Sequence, residues 1–172
     1  MTFVLGTHTY AASGDALRRQ ENGVSSLLAL QGVSLVNVQF TRGAHHVDNL
    51  TTLPTLHRDA TTVTGREGPR KPIVSDIFNA IWTEARRLGA QYFGFTNADI
   101  LVSQEVVDVI VNGGRDAYIL AREDIDGATG RVKSVGIYGV DMFAIATEWW
   151  TEHRNRFRGY ILGEAVWDNV YA

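Results

Sequence analysis

An amide and a carboxylate interrupt an apolar run near the middle of the chain. The stretch YFGFTNADILV, residues 92–102, has the pattern of a buried strand that stops at Asn97-Ala98-Asp99 and then becomes apolar again. Because an ionised carboxylate is costly to bury alone, we expect a hydrogen-bond network, a cation or a metal beside Asp99. Mg²⁺ takes oxygen ligands, usually one or two carboxylates together with substrate phosphates. Asp99 is therefore a candidate metal ligand, and the alternative is a carboxylate that only caps a turn.

The composition is that of an ordinary globular protein and excludes several kinds of site. The 172 residues suit one domain, and 45% hydrophobic with 20% charged residues argue against a disordered chain or a fibre. The net charge of -3 argues against a nucleic-acid partner. Because the chain has no cysteine, thiolate metal sites and cysteine catalysis are excluded. No apolar run suggests a membrane span or a signal peptide, so we expect a cytoplasmic protein.

Hydrophobic periodicity predicts strands that alternate with helices. The predicted strands are 3–5, 33–40, 91–95, 116–121 and 134–146, the last broken near Gly139. The predicted helices are 15–30, weakened at Gly23, 73–88, 103–112 and 147–158. This alternation indicates an α/β fold with a mainly parallel sheet. Ligands bind at the carboxyl ends of such strands, so we expect the residues after 3–5 and 91–95 to face one crevice if these strands are neighbours.

One segment, from Thr41 to Pro72, has no periodicity. A connection of about 30 residues inside a domain is typical of a functional loop or an insertion. We expect this long loop to close over a ligand as a lid, with a short extra strand at 61–64. Its histidines His45 and His46 are candidates for a further metal ligand, and the alternative is that they are simply solvated.

The stretch GAQYFGFTNADILVS resembles the segment that carries the DxD motif of GT-A-type glycosyltransferases, with Asn-Ala-Asp in place of Asp-x-Asp. The segments GVDMFAI and GEAVWDN look like the acceptor-side and catalytic segments of that family. The resemblance implies a single GT-A-like domain over 1–172, with a Rossmann-like, mainly parallel sheet, helices on both faces and a shortened C-terminus. It also implies a metal-dependent transfer of a sugar from a UDP- or GDP-linked donor to an acceptor hydroxyl.

The resemblance also implies roles for individual residues. Asp99, with Asn97 at the first motif position, would bind the Mn²⁺ or Mg²⁺ that bridges the donor diphosphate. Asp141 would lie near the sugar or acceptor, and Glu164 or Asp168 would be the general base, sharing a face if 164–168 is helical. Donor contacts are implied for the segment after the first strand and for basic residues, with Tyr10 stacking on the base: Thr7, His8, Thr9, Tyr10, Arg18, Arg19 and Lys71.

Two other functions remain open. A nucleotidyltransferase on a related sheet would carry a glycine-rich basic loop after the first strand, which GTHTYAASGDALRR matches loosely. A non-catalytic relative that binds a nucleotide or a partner protein is favoured by Asn97 and by the short C-terminus. Trp149 and Trp150 are adjacent on a predicted helix and point in different directions, so we expect one in the core. The other would line an acceptor groove or a homo-oligomer contact.

Overall fold

The computed structural model describes residues 3–126 and 131–164, without the side chains of 134–139, and these residues form a mixed α/β fold. The strands are β1 (Phe3–Thr7), β2 (Val33–Phe40), β3 (Thr51–Leu56), β4 (Tyr92–Thr96), β5 (Ala117–Ile125) and β6 (Val132–Ala146). The helices are α1 (Gly14–Leu28), α2 (Ala60–Thr64), α3 (Val74–Leu88), α4 (Gln104–Gly113) and α5 (Thr147–His153), the last followed by a 3-10 turn at Arg154–Arg156.

The strands form one sheet in the order β3-β2-β1-β4-β6-β5. β1 to β4 are parallel to one another, whereas β6 is antiparallel to both of its neighbours. The sheet is therefore parallel at one end only. The connection from β5 to β6 is short, and a short connection joins antiparallel strands because a parallel pair needs a long crossover.

Helices cover both faces of the sheet, as expected. Alternate strand residues point to opposite faces, so neighbours such as Val4 and Phe3 belong to two different cores. One core packs on α3 and α5, where Trp150 is fully buried; the other packs on α1 and α4. Trp149 stacks on His153, with 4.4 Å between ring centroids. Among all the residues that the structure describes, no helix is both long enough and apolar enough to cross a membrane.

The segment 41–72 is more regular than the long loop that the sequence predicts. β3 pairs with β2 at the edge of the described sheet, where Pro54 is tolerated because its missing N–H faces no further strand. The strand predicted at 61–64 is wrong, since these residues belong to α2. The Asp59 carboxylate accepts a hydrogen bond from the Thr62 amide at 3.0 Å and so caps this helix.

Of the two glycine interruptions predicted from the sequence, the one in the helix is absent, because α1 runs unbroken through Gly23. β6 continues through residue 139, but its pairing with β5 shifts register between Val135 and Val140, close to the predicted break. Gly23 is buried on the face of α1 that meets the turn after β4, where a Cβ atom would overlap the carbonyl oxygen of Ala98. The glycine therefore reflects a close packing contact and not a weak point of the helix.

Candidate functional site

The candidate site lies where β1 and β4 end side by side. From β1 the sheet continues to β2 on one side and to β4 on the other, so the chain connections diverge between β1 and β4. Ligands of open α/β sheets bind in the crevice at such a switch point, outside the carboxyl ends of the strands. The adjacency of the two strands is thus confirmed, and it brings Thr7–Tyr10 and Asn97–Asp99 to the same edge.

Asn97 is the hydrogen-bond partner of a buried carboxylate on β6. Its Nδ2 donates to Asp141 Oδ1 at 2.9 Å, and its backbone amide donates to the Asp141 carbonyl at 3.2 Å. The Asp141 side chain is 10% exposed, and Arg122 Nη1 lies 3.2 Å from its Oδ2. The Asp141 charge, together with Asp124, raises the pKa of Arg122. The polar interruption at position 97 therefore orients Asp141 from the neighbouring strand.

Asp99 lies two residues further along the chain, at the same carboxyl edge of the sheet. A turn closes here, because the Ile100 amide donates to the Asn97 carbonyl at 3.2 Å. Arg19 Nε is 3.9 Å from Asp99 Oδ2, which is too long for a hydrogen bond. The Asp99 side chain is 45% exposed, and its carboxylate makes no hydrogen bond to any described residue. Its oxygens are therefore available to a ligand.

Helix α1 holds this turn in place. The close contact of Gly23 with Ala98 sets the helix directly on the backbone of the turn. One helical turn later, Ser26 Oγ accepts a hydrogen bond from the Val102 amide at 3.1 Å. Because Arg19 is part of the same helix, these contacts also set the position of Arg19 relative to Asp99.

A cavity of about 1320 Å³ opens beside the turn. It is bounded by α1, by residues 99–103, by the start of α4 and by β5 and β6. Three arginines and four acidic residues line it: Arg18, Arg19, Arg122, Asp99, Glu123, Asp124 and Asp141. Several of these charges already pair, as Arg18 does with Asp15 outside the lining. The cavity thus offers both signs of charge to a polar ligand, and Asp99 and Glu123 are the lining carboxylates that accept no hydrogen bond from a described residue.

The four residues predicted to surround a nucleoside lie in different environments. Thr7 is the last residue of β1, is 1% exposed, and its Oγ1 has no hydrogen-bond partner within the described chain. Thr9 is also buried. His8 Nδ1 donates to the Val38 carbonyl at 2.7 Å, and burial, with a smaller effect of His45, lowers the pKa of His8. Tyr10 is 51% exposed and is the most exposed of the four.

Two buried amide side chains of β2, Asn37 and Gln39, bind the backbone that follows β1. The sequence analysis did not identify them. The Thr9 amide donates to Asn37 Oδ1 at 3.1 Å, and Gln39 Nε2 donates to the Thr9 carbonyl at 2.8 Å. Thr9 Oγ1 accepts from Asn37 Nδ2 at 2.9 Å and shares a second hydrogen bond with His45 Nδ1, 3.0 Å away. Asn37 and Gln39 alternate with valines in the strand VSLVNVQF, and this polar alternation was the available signal.

Lys71 and Glu164 come together with each other, outside the lining of the cavity. Lys71 Nζ is 2.6 Å from Glu164 Oε1. Glu164 follows the bridge between Ile73 and Ile161 and lies in a bend, so the helix expected to begin there is absent at this residue. Asp168 lies outside the described residues.

Asp99 offers carboxylate oxygens, the ligand type that a hard divalent cation prefers, with the cationic Arg19 beside it. Among residues 3–126 and 131–164, no group of three histidine or acidic side chains is placed to hold a metal ion. His45 is engaged with Thr9, and His46 with Thr52 at 3.2 Å. Mg²⁺ and Mn²⁺ at substrate sites keep waters and take phosphate oxygens, so one free carboxylate is a sufficient protein anchor. The residues therefore suit a cation that arrives with an anionic substrate.

Comparison with known proteins finds no family profile that matches the chain and no curated protein with a significant match. Function is therefore inferred from the geometry of the crevice and from the motif resemblance.

Proposed function

We propose that the chain is a metal-dependent glycosyltransferase with a Rossmann-like GT-A sheet, which moves a sugar from a UDP- or GDP-linked donor to an acceptor hydroxyl. The observation that supports the proposal is the half-exposed Asp99 carboxylate at the switch point between β1 and β4, which lines the cavity and lies 3.9 Å from Arg19 without a hydrogen bond to it. Breaking the bond from the anomeric carbon leaves negative charge on the diphosphate. Asp99 would hold a Mn²⁺ or Mg²⁺ ion, which would supply the positive charge that neutralises this leaving group.

The surrounding side chains have separate tasks in this proposal. Arg19, next to Asp99, binds the same phosphates by charge-assisted hydrogen bonds. Asp141 is held by Asn97 and Arg122, which suits a carboxylate that must accept hydrogen bonds from sugar hydroxyls in a fixed direction. Tyr10 offers an exposed ring to the base. His8, Thr9 and the buried Thr7 shape the crevice and do not need to touch the donor.

Transfer also needs a group that takes the proton of the acceptor hydroxyl. In this proposal Glu164 or Asp168 is that general base. Glu164 is 57% exposed on its side chain and is oriented by Lys71. The ion pairs of Asp141 and Glu164 also suit a non-catalytic nucleotide-binding relative, in which both carboxylates are only structural. Hydrolysis or transfer of the donor sugar distinguishes the two. Release of pyrophosphate from a nucleoside triphosphate would instead indicate a nucleotidyltransferase.

Isothermal titration with UDP and GDP, with and without Mn²⁺, tests the proposal. The variants are Asp99→Asn and, as a matched control, Asp124→Asn, which changes an acid in the same cavity that is already paired with Arg122. We expect Mn²⁺-dependent binding of at least one nucleotide by the wild-type protein and by D124N. Loss of the metal ligand should weaken binding by D99N at least ~10-fold, which corresponds to about 1.4 kcal/mol.

Two results would contradict the proposal. Absence of nucleotide binding under all conditions would remove its basis, and equal Mn²⁺-dependent affinity of D99N and wild type would move the cation away from Asp99. If binding is found, sugar release from UDP- and GDP-linked donors is measured next for Glu164→Gln and Asp168→Asn. A loss of turnover with unchanged donor affinity in one of them identifies the base.

A further inference from the structure

Gln20 binds the backbone of Tyr10 at both of its polar groups. The Tyr10 amide donates to Gln20 Oε1 at 3.1 Å, and Gln20 Nε2 donates to the Tyr10 carbonyl at 3.1 Å. Gln20 is 4% exposed, whereas the side chain that it supports is half in solvent. The side-chain amide thus replaces a neighbouring strand for this residue, and it fixes the backbone while the ring stays accessible.

The preceding residue is held in the same manner. Both backbone polar groups of Thr9 are bonded to the side-chain amides of Asn37 and Gln39. Three buried amide side chains therefore serve two consecutive residues. Burying an amide is unfavourable unless its hydrogen bonds are made, so this arrangement stabilises one conformation of the 9–10 segment against alternatives.

α1 connects this segment to the charged part of the crevice. Gln20 follows Arg19 directly in the helix, and Arg19 faces Asp99. The helix is in turn seated on the Asn97–Asp99 turn through Gly23. The position of the Tyr10 backbone relative to Asp99 is therefore set by a single rigid element.

We propose that Gln20 is a positioning residue for nucleobase recognition: it holds the exposed Tyr10 ring as a preorganised platform on which the base of the bound nucleotide stacks. The inference rests on the proposed function, because it takes a nucleotide to be the ligand. Stacking of a base on an aromatic side chain is sequence-tolerant and contributes substantially to affinity. Preorganisation preserves that contribution, since no loop ordering is needed on binding.

The test compares Gln20→Met with Tyr10→Leu and with the double variant. Gln104→Met is the matched control, because Gln104 makes the same two-point contact to a backbone, that of Gln31, at the other end of the sheet. Gln20→Leu is a second apolar variant that removes both hydrogen bonds and, unlike Gln20→Glu, buries no charge against the Tyr10 carbonyl. Each protein is titrated with UDP and GDP in Mn²⁺ and, separately, with inorganic pyrophosphate in Mn²⁺.

We expect Y10L to weaken nucleoside diphosphate binding ~5- to 100-fold, the range for loss of one stacked base. Q20M and Q20L should each weaken it about 3- to 10-fold. Pyrophosphate, which has no base, should bind Q20M as it binds the wild type, and Q104M should resemble the wild type throughout. In the Y10L background, Q20M should have no further effect, because Gln20 acts through the ring.

Different failures have different meanings. If the wild type binds UDP or GDP and Q20M binds it equally well, the role of Gln20 is wrong while the proposed function stands. Equal weakening of pyrophosphate and nucleotide by Q20M would show a merely structural residue and would also overturn the inference. If the wild type binds neither nucleotide, the proposed function and this inference fall together.

Discussion

At position 97 the chain uses an amide where the resemblance would place a carboxylate, and the neighbouring strand explains why. Asp141 is buried and needs a donor, which Asn97 Nδ2 supplies at 2.9 Å. A carboxylate cannot donate this hydrogen bond. The acidic group that faces the cavity beside Asp99 thus comes from β6 and not from the first position of the motif.

Asn97→Asp should therefore destabilise the protein through repulsion of two close carboxylates. Such a pair shares a proton, so at least one folded-state pKa is raised. The destabilisation should be small below about pH 4 and should grow as the pH rises. At pH 7 we expect a melting temperature ~2–6 °C lower, partly restored by Mn²⁺. Melting curves from pH 4 to 8 measure the destabilisation. Asn97→Ser, which adds no charge, is the control. Identical pH profiles of the two variants would refute the explanation.

Thr7 and Thr9 are two buried threonines at the end of β1, and their replacement by valine should have different effects on stability. Thr7→Val removes a hydroxyl that has no partner among the described residues, so we expect unchanged or slightly higher stability and unchanged nucleotide binding. Thr9→Val removes the hydroxyl that is hydrogen-bonded to Asn37 and His45, and should cost ~1–3 kcal/mol. Urea unfolding measures both. A destabilisation by Thr7→Val as large as that by Thr9→Val would show that Thr7 has a partner.

Among the elements, α1 connects most parts of the site. It seats the Asn97–Asp99 turn, carries Arg19 and holds Tyr10 through Gln20. Two effects oppose each other at Gly23. Helix propensity favours alanine by about 1 kcal/mol, whereas Ala98 needs the space that a Cβ atom would occupy.

Gly23→Ala tests which of the two effects is larger. We expect net destabilisation and weaker Mn²⁺-dependent nucleotide binding, because the added methyl group would displace Ala98 and with it Asp99. Ser25→Ala, at an exposed position of the same helix, should instead be neutral or slightly stabilising. Thermal unfolding and titration measure the effects. Stabilisation by Gly23→Ala equal to that by Ser25→Ala would show that the turn can move without cost.

The short helix α2 depends on the charge of its cap. Hydrogen bonds from the Thr61 hydroxyl, the Thr62 amide and Arg70 lower the pKa of Asp59. A lowered folded-state pKa stabilises the protein above the ordinary range of aspartate, and this stabilisation is lost as the pH falls through the folded-state value. The advantage of wild type over Asp59→Asn should thus be about 1 kcal/mol at pH 7 and should shrink below about pH 4. Urea unfolding at pH 7 and pH 3 measures it; an unchanged difference would contradict the assignment.

At the scale of the whole molecule, the segment 41–72 lies at the same edge of the sheet as the site, through the carboxyl ends of β2 and β3. It is tied to the rest of the protein by Arg58 to Asp76 at 2.6 Å and, within itself, by Arg70 to Asp59 at 2.9 Å. α2 buries none of its side chains, and few buried contacts are typical of segments that open locally. The prediction that it closes over a donor as a lid remains to be tested.

Limited trypsin digestion tests the lid. With UDP or GDP and Mn²⁺ present, cleavage after the exposed Arg66 should slow several-fold, whereas cleavage after the exposed Arg115, far along the chain, should slow much less. The comparison separates local closure from global stabilisation, which would protect both sites. Equal cleavage after Arg66 with and without ligand would refute the lid.

The amino-acid sequence by itself determined the features that depend on local patterns. The period of apolar residues located β2, α3, β4 and α4 within a few residues, because each element must bury one face wherever the rest of the chain lies. The same patterns indicated that Tyr10 and Asp99 follow strands, and hence that both approach the ligand edge. The pattern did not predict β3, because proline is unusual in a strand and Pro54 occurs here in an edge strand. It wrongly predicted a strand at α2, because the Asp59 cap outweighs the strand preference of threonine.

Only the tertiary structure decided which distant residues meet. Asn97 and Asp141 are 44 positions apart, and Thr9 and Asn37 are 28 apart, so no local window relates them. Their pairing follows from strand order and register, which depend on how the two cores pack on the sheet. The surroundings of Asp99 have the same origin, since it is the packing of α1 on the turn that brings Arg19 to 3.9 Å from its carboxylate. The arrangement of this site therefore depends on long-range packing. The sequence alone identified candidate residues but not which of them would meet.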